Sequence, residues 1–484
     1  MNGLTMRTLR PSLALPLLLA LAGCAVGPNF QRPAPTTPPA WSDAPAGVTA
    51  APAETAWWTG FNDPELTALI RQAAAENLDA KAAVLRIAEA RAQRKVAAAA
   101  QWPSLSANAG GQVNRLSETT PTGALFSEVG KFPGLSGVSI PNPYDQYQLG
   151  FDAAWEVDLF GRVRRSVEAA GADAQAAVED SRAAQVSVLG EVGRAYVDLR
   201  GAQAKRAIVQ TDIALERDLL DLAAQRRRAG LSPDTDVVRA AAEADSAEAQ
   251  LPALDAEITV DINQLSRLIA REPGALRAEL ETAQPVPPAP PSLPVGLPAD
   301  LARRRPDIRA AEARLHGATA RVGVAVADMF PRLTLQAQGG LQSDSLARLT
   351  AWASRFITAG PTLQAPIFEG GQLRAMVRLA DVREQEAALD YRRTVLGAVH
   401  EADDALAAYG ADQARQATLS RTVEHDRDAL DLTRQRYASG LAAFIEVLDA
   451  ERTLAQNQLA LADATTAVST DLVTLYKVLG GGWS

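Results

Sequence analysis

Residues 146–157 read QYQLGFDAAWEV, and DLFGR follows at 158–162. Odd positions carry Tyr147, Leu149, Phe151, Ala153, Trp155 and Val157. Even positions include Gln146, Gln148, Asp152 and Glu156. This period of two predicts a strand with one apolar and one polar face. From Arg162 the period changes: Val163, Val167, Ala170, Ala174 and Ala177 recur at three- and four-residue steps, and no Pro occurs before Pro233. A strand therefore runs directly into a very long amphipathic helix, expected over 162–229 and roughly 100 Å in length at 1.5 Å per residue.

The same junction occurs twice. Residues 162–270 and 372–480 align at a constant offset of 210, pairing Gln225 and Gly230-Leu231 with Gln435 and Gly440-Leu441, and Asp236-Val237 with Glu446-Val447. Upstream, Trp102-Pro103-Ser104-Leu105 matches Phe330-Pro331-Arg332-Leu333 at an offset of 228. A duplicated unit of helices, strand pair and helices follows. The first copy spans 62–284, with strands at about 104–116 and 145–157 and helices over 162–229 and 233–270. The second spans 299–484, with strands at about 332–342 and 356–367 and helices over 372–439 and 443–479. Gly230 and Gly440 are placed to end the long helices as left-handed caps. Pro-rich stretches precede the first copy, within 24–61, and join the copies at 285–298; both read as extended linkers.

A half-buried soluble sheet would alternate in the same way. Four segments of 9–12 residues, apolar on one face and polar on the other, also fit a membrane β-barrel. Trp102, Trp155, Phe330 and Phe368 gather at one end of the strands, and Tyr144, Tyr147, Trp352 and Phe356 at the other. Two aromatic girdles favour the membrane. Four strands cannot close a barrel, and lipid does not tolerate open edges. Two chains would give eight strands, a barrel filled by its own side chains, so a conduit needs at least three chains.

The N-terminus is a targeting segment. Arg7 and Arg10 precede an apolar run ending Leu21-Ala22-Gly23-Cys24, so residues 1–23 read as a signal peptide. Leu-Ala-Gly-Cys resembles a bacterial lipobox, which makes Cys24 the expected lipid attachment site. Ala25, rather than Asp, directs such a protein outward. The 484 residues carry a net charge of -9 and one Cys with three scattered His. A nucleic-acid partner, a metal centre and a disulfide framework are not expected. Neither a phosphate-binding loop nor a nucleophile elbow is present, so no enzyme and no cofactor are expected beyond the covalent lipid.

Taken in order, several local matches resemble the TolC-like outer-membrane efflux proteins, and among them the lipoprotein channels of RND-type tripartite pumps. They are Val26-Gly27-Pro28-Asn29-Phe30, Trp57-Trp58 with Phe61 and Asp63-Pro64, the stretch Trp155 to Arg162, Arg304-Arg305-Pro306-Asp307-Ile308, and the end Leu479 to Trp483. The resemblance implies an α+β membrane protein: a homotrimer with a twelve-stranded outer-membrane barrel above a long helical barrel reaching into the periplasm. It also implies a periplasmic adaptor protein, an inner-membrane RND-type pump and outer-membrane lipid as partners. The function implied is passive conduction of drugs or other small molecules to the exterior. A duct for metal ions or for type I protein secretion, and a periplasmic coiled-coil lipoprotein, remain alternatives. The family's periplasmic gate maps onto Asp236, Glu446 and Asp449, which follow the glycine turns, and onto Tyr437. The plainer reading makes these helix-start carboxylates that complement the helix dipole. The family's gate arginine, expected near Ala442, is missing, and Arg434 and Arg436 are the nearby substitutes.

Overall fold

A computed structural model of the chain describes residues 25–34, 37–42, 45, 47–52, 54–132, 134, 136–137, 141–290 and 292–483. The signal peptide and Cys24 lie outside them. The chain divides into two units, one of residues 1–31, 90–174 and 315–387, the other of 32–89, 175–314 and 388–484.

The first unit carries one antiparallel sheet in the order β1-β2-β3-β4. Its strands are β1 (Ser104–Asn114), β2 (Tyr144–Val157), β3 (Arg332–Ser343) and β4 (Arg355–Gln364). Residues directly opposite in an antiparallel pair share a face. Leu105 lies opposite Ala153, Ala107 opposite Phe151 and Ala109 opposite Leu149. The same face continues through Trp155–Leu335 and Val157–Leu333 to Leu333–Leu363. The other face pairs Ser106 with Asp152, Gln148 with Gln342, and Gln338 with Thr358. The alternation in sequence is thus a real division of faces across four strands. The apolar face is bare: Leu105, Phe151, Ile357 and Leu363 are 60–83% exposed. Apolar area left in water forgoes about 25 cal/mol per Å², so this face requires another apolar phase. Pro361 sits in β4 opposite Leu335, where it contributes no N–H to the ladder.

One of the two expected girdles is corrected by the register. Tyr144 lies opposite Asn114, and Phe356 opposite Gly340, which puts both on the polar face. Their even-parity positions set this face, and Gly340 leaves room for Phe356. Trp352 lies in the connecting turn, with the Arg355 guanidinium 3.6 Å over its ring. At the other strand ends Trp102 and Phe368 are exposed, and Trp155 donates through Nε1 to Gln101 O at 3.0 Å.

The longer helices, of 13 residues or more, are α1 (Pro64–Glu76), α2 (Leu78–Ala99), α3 (Arg162–Arg228), α4 (Asp234–Glu248), α5 (Leu251–Leu268), α6 (Pro306–Ala327), α7 (Gln372–Ala438) and α8 (Phe444–Val478). α3 and α7 have 67 residues each. Their starts are built locally. The Asp158 carboxylate accepts from the N–H groups of Val163 and Arg164 at 3.2 and 2.8 Å, satisfying first-turn donors of α3. The second helix of the first copy, expected unbroken over 233–270, is two helices, α4 and α5. Pro252 lies in the first turn of α5, where its missing N–H costs nothing; inside a continuous helix it would break a bond to the preceding turn. The second copy lacks that proline, and α8 runs unbroken for 35 residues.

The Pro-rich stretches are held rather than free. Val48–Thr49 pairs in parallel with Leu293–Pro294, and Trp41 donates to Gly296 O at 2.9 Å. In the strand-bearing unit, Val26 N–H bonds Phe160 O at 3.1 Å and Phe30 stacks on His316 at 4.6 Å. The core of the second unit holds Trp57, Phe61, Leu66, Ile70, Tyr196 and Leu199, with Arg200 fully buried among them. Arg200 donates to Gln203 Oε1 at 2.7 Å and Thr282 O at 3.0 Å, and forms an ion pair with Glu65. Those bonds tie α1, α3 and the end of the first copy together.

Candidate functional site

The two glycine turns are built alike. α3 ends at Arg228; Gly230, with φ +74°, donates to Arg227 O, and Leu231 donates to Arg226 O. α7 ends at Ala438; Gly440, with φ +76°, donates to Tyr437 O, and Leu441 donates to Arg436 O. Both are Schellman caps, which need a residue at positive φ and so favour glycine.

The helices around the turns share one apolar core. Leu219 and Ala223 of α3, Ala240 of α4, Leu430 and Tyr437 of α7, and Phe444, Val447 and Leu448 of α8 all belong to it. Tyr437 is buried, its ring 5.5 Å from that of Phe444, and its hydroxyl has no partner. Burial raises its pKa, Arg226 lowers it and Asp236 raises it, which places both groups within electrostatic reach of Tyr437. The Arg226 guanidinium lies 4.4 Å over the Tyr437 ring, and Nη1 donates to Tyr437 O at 3.3 Å. Of the two nearby arginines, Arg434 pairs with Glu451 and Arg436 donates to Leu441 O at 3.2 Å within the chain. Sequence reasoning missed Arg226 because its partner is 211 residues away, in the other copy. The arginine run at 226–228, abutting a predicted turn, was the available signal.

Of the expected gate carboxylates, Asp236 is half-buried in the first turn of α4. Glu446 and Asp449 are exposed on the first turns of α8. Glu446 accepts from Ala443 N–H at 2.9 Å, doing helix-start work, and Asp449 pairs with Arg452 at 3.2 Å. The structure thus brings Arg226 and Tyr437 together, with Asp236 in electrostatic reach of Tyr437, and leaves Glu446 and Asp449 exposed. No helix among the described residues is long and apolar enough to cross a membrane. Nor do those residues hold a group of three or more His, Cys, Asp or Glu suited to a metal ion.

Comparison with known proteins follows this geometry. The family model described as outer membrane efflux protein matches residues 69–271 and 297–481. Outer membrane protein OprJ of Pseudomonas aeruginosa is 32% identical over 479 residues, covering 97% of this chain and 95% of that protein. The toluene efflux pump outer membrane protein TtgI of Pseudomonas putida is 31% identical over 484 residues, covering 98% of each. Among solved structures, the outer-membrane channel OprN superposes with a TM-score of 0.86 at 34% identity, covering 95% of this chain and 100% of that one.

Proposed function

The chain belongs to the outer membrane efflux protein family, and on that premise we propose that it conducts small organic molecules, drugs and solvents, handed on by an RND-type inner-membrane pump through a periplasmic adaptor. It is an outer-membrane exit duct of a tripartite efflux system; the chain is mostly helical, and its strands contribute to a trimeric barrel. One observation carries the small-molecule reading: the polar sheet face is mostly uncharged amide and hydroxyl, as in Ser106, Asn108, Gln148, Gln336 and Thr358. Such a wall wets a passage without fixing its cargo, which leaves selection to the pump. The names of the relatives, one of them a toluene efflux component, support organic cargo. A deletion strain complemented with the gene tests it. Restored tolerance to toluene and amphipathic antibiotics, with metal-ion tolerance unaltered throughout, is expected; rescue of metal tolerance alone would overturn it.

The gate and the anchor belong to the same proposal. In a homotrimer Asp236, Glu446 and Asp449 from each chain approach one axis, ring the periplasmic tip and draw in cations. Tyr437 and Arg226 brace that tip, and Gly230 and Gly440 shape its turns. Cys24 carries the N-terminal lipid in outer-membrane lipid. Mass spectrometry of the mature N-terminus tests the last point: a chain that begins elsewhere, or an unmodified Cys24, refutes it.

A further inference from the structure

A second group of carboxylates lies behind the tip, inside the packing rather than at its surface. Glu216 of α3 is 4% exposed and Glu451 of α8 is 1% exposed. Each has a buried Oε2 with no hydrogen-bond partner. Glu451 Oε1 accepts from Arg434 of α7, with Nε at 3.1 Å. Glu216 lies in electrostatic reach of Glu451, Asp212 of its own helix, Glu243 of α4 and Arg434, and Glu451 in reach of Arg434 and Asp212. Four carboxylates thus meet one guanidinium where the α3–α4 and α7–α8 hairpins join. By sequence separation, Glu216 lies about 20 Å along the helix from Gly230 and Glu451 about 16 Å from Gly440.

A buried carboxylate without a compensating partner is costly when charged and tolerable when protonated. The lone arginine is engaged by Glu451, so Glu216 has no cation of its own. We propose that Glu216 and Glu451 form a proton-loaded latch that holds the two hairpins together behind the tip, and that loss of those protons in alkaline medium loosens the tip. The inference rests on the tip being the gate and adds its regulation.

Burial first, and then Glu451, Asp212 and Glu243, push Glu216 up from 4.5 to about 8, with Arg434 opposing. Burial likewise raises Glu451 to about 7 against the pull of Arg434. Raised carboxyl groups favour the packed state in acid. Their support is complete below pH 4.5 and is lost as pH rises through about 7 and about 8. A group titrating near 8 is about one-tenth ionised at pH 7 and about nine-tenths at pH 9.

Single-channel recording of the purified trimer, in symmetric salt between pH 6 and pH 9, tests the latch. Wild-type conductance at pH 9 is expected to be at least about twice that at pH 6, with its midpoint between about 7 and 8. The Glu216→Gln/Glu451→Gln pair, isosteric with the protonated acids, should stay at the low level throughout. A wild type without the step, or a double variant that keeps it, overturns the latch. Glu446→Ala/Asp449→Ala should alter ion selectivity yet keep the neutral-pH step, so gate and latch fail separately. Hydrogen exchange on the wild type needs no variant: protection of segments 210–220 and 448–456 should fall by about tenfold between pH 6 and pH 9. Unchanged protection refutes the latch.

Discussion

Arg200 shows how a single side chain can organise a fold. Its guanidinium is fully buried and held by Glu65, Gln203, Tyr196 and the carbonyl of Thr282. Arg200→Ala would strand Glu65 and leave these acceptors unpaired, at a cost of about 3 kcal/mol or more. The expected result is a marked fall in the unfolding temperature of the detergent-solubilised protein, with Arg200→Lys rescuing little because it lacks the fork. At the tip the relevant pair is Arg226 and Tyr437. Tyr437 holds Arg226 through its ring and its carbonyl. Arg226→Ala should therefore raise conductance, since a partly desolvated cation–π contact contributes about 1–2 kcal/mol, and Tyr437→Phe, which keeps the ring and the carbonyl, should raise it less. Equal effects of the two variants in bilayer recordings would refute the brace. Legibility at this scale followed sequence distance. The caps at Gly230 and Gly440 are written in neighbouring residues, and so is the capping role of Glu446. The placement of Arg226 is decided by packing between copies, on which local spacing is silent.

At the scale of elements, periodicity carried most of the information. A period of two placed four strands within a few residues of their observed ends and assigned their faces, because a one-residue slip would exchange the faces entirely. Thiol labelling of single Cys variants tests the assignment. Positions 105, 151, 335 and 363 should be shielded by lipid, and 108, 148, 336 and 364 should react with water-soluble maleimide. Reversed or mixed reactivity would refute the register. The break between α4 and α5 shows where periodicity fails: the apolar rhythm continues through 249–250, and only Pro252 announces a new helix. Close helix approach was also invisible. A Cβ added at Gly201 of α3 would lie 2.4 Å from Thr466 Oγ1 of α8, the end of a stiff β-branched side chain. Gly201→Leu should therefore lower trimer yield and thermal stability, by about 1–3 kcal/mol of overpacking, while Gly230→Ala at the exposed turn changes yield less.

For the whole molecule, the family, the duplication and the need for several chains were all legible, since four strands cannot enclose a passage. The assembled duct should migrate on gels, without heating, near three times the mass of one mature chain, and fall to one chain on boiling. Its selectivity belongs to this scale too. Glu446→Ala/Asp449→Ala should reduce cation preference and block by trivalent cations while leaving thermal stability nearly unchanged, because exposed carboxylates contribute little to folding. Unchanged selectivity would return both residues to plain helix starts. The open edges of β1 and β4 have a genetic consequence. Every barrel needs sound edges from each of its chains, so one damaged copy spoils the seam for its neighbours. An allele with a proline set into β1, co-expressed equally with the normal gene, would leave only about one trimer in eight wholly intact. Such lesions should behave as dominant, sensitising a cell that still carries a good gene, whereas a simple deletion of one of two copies should be silent.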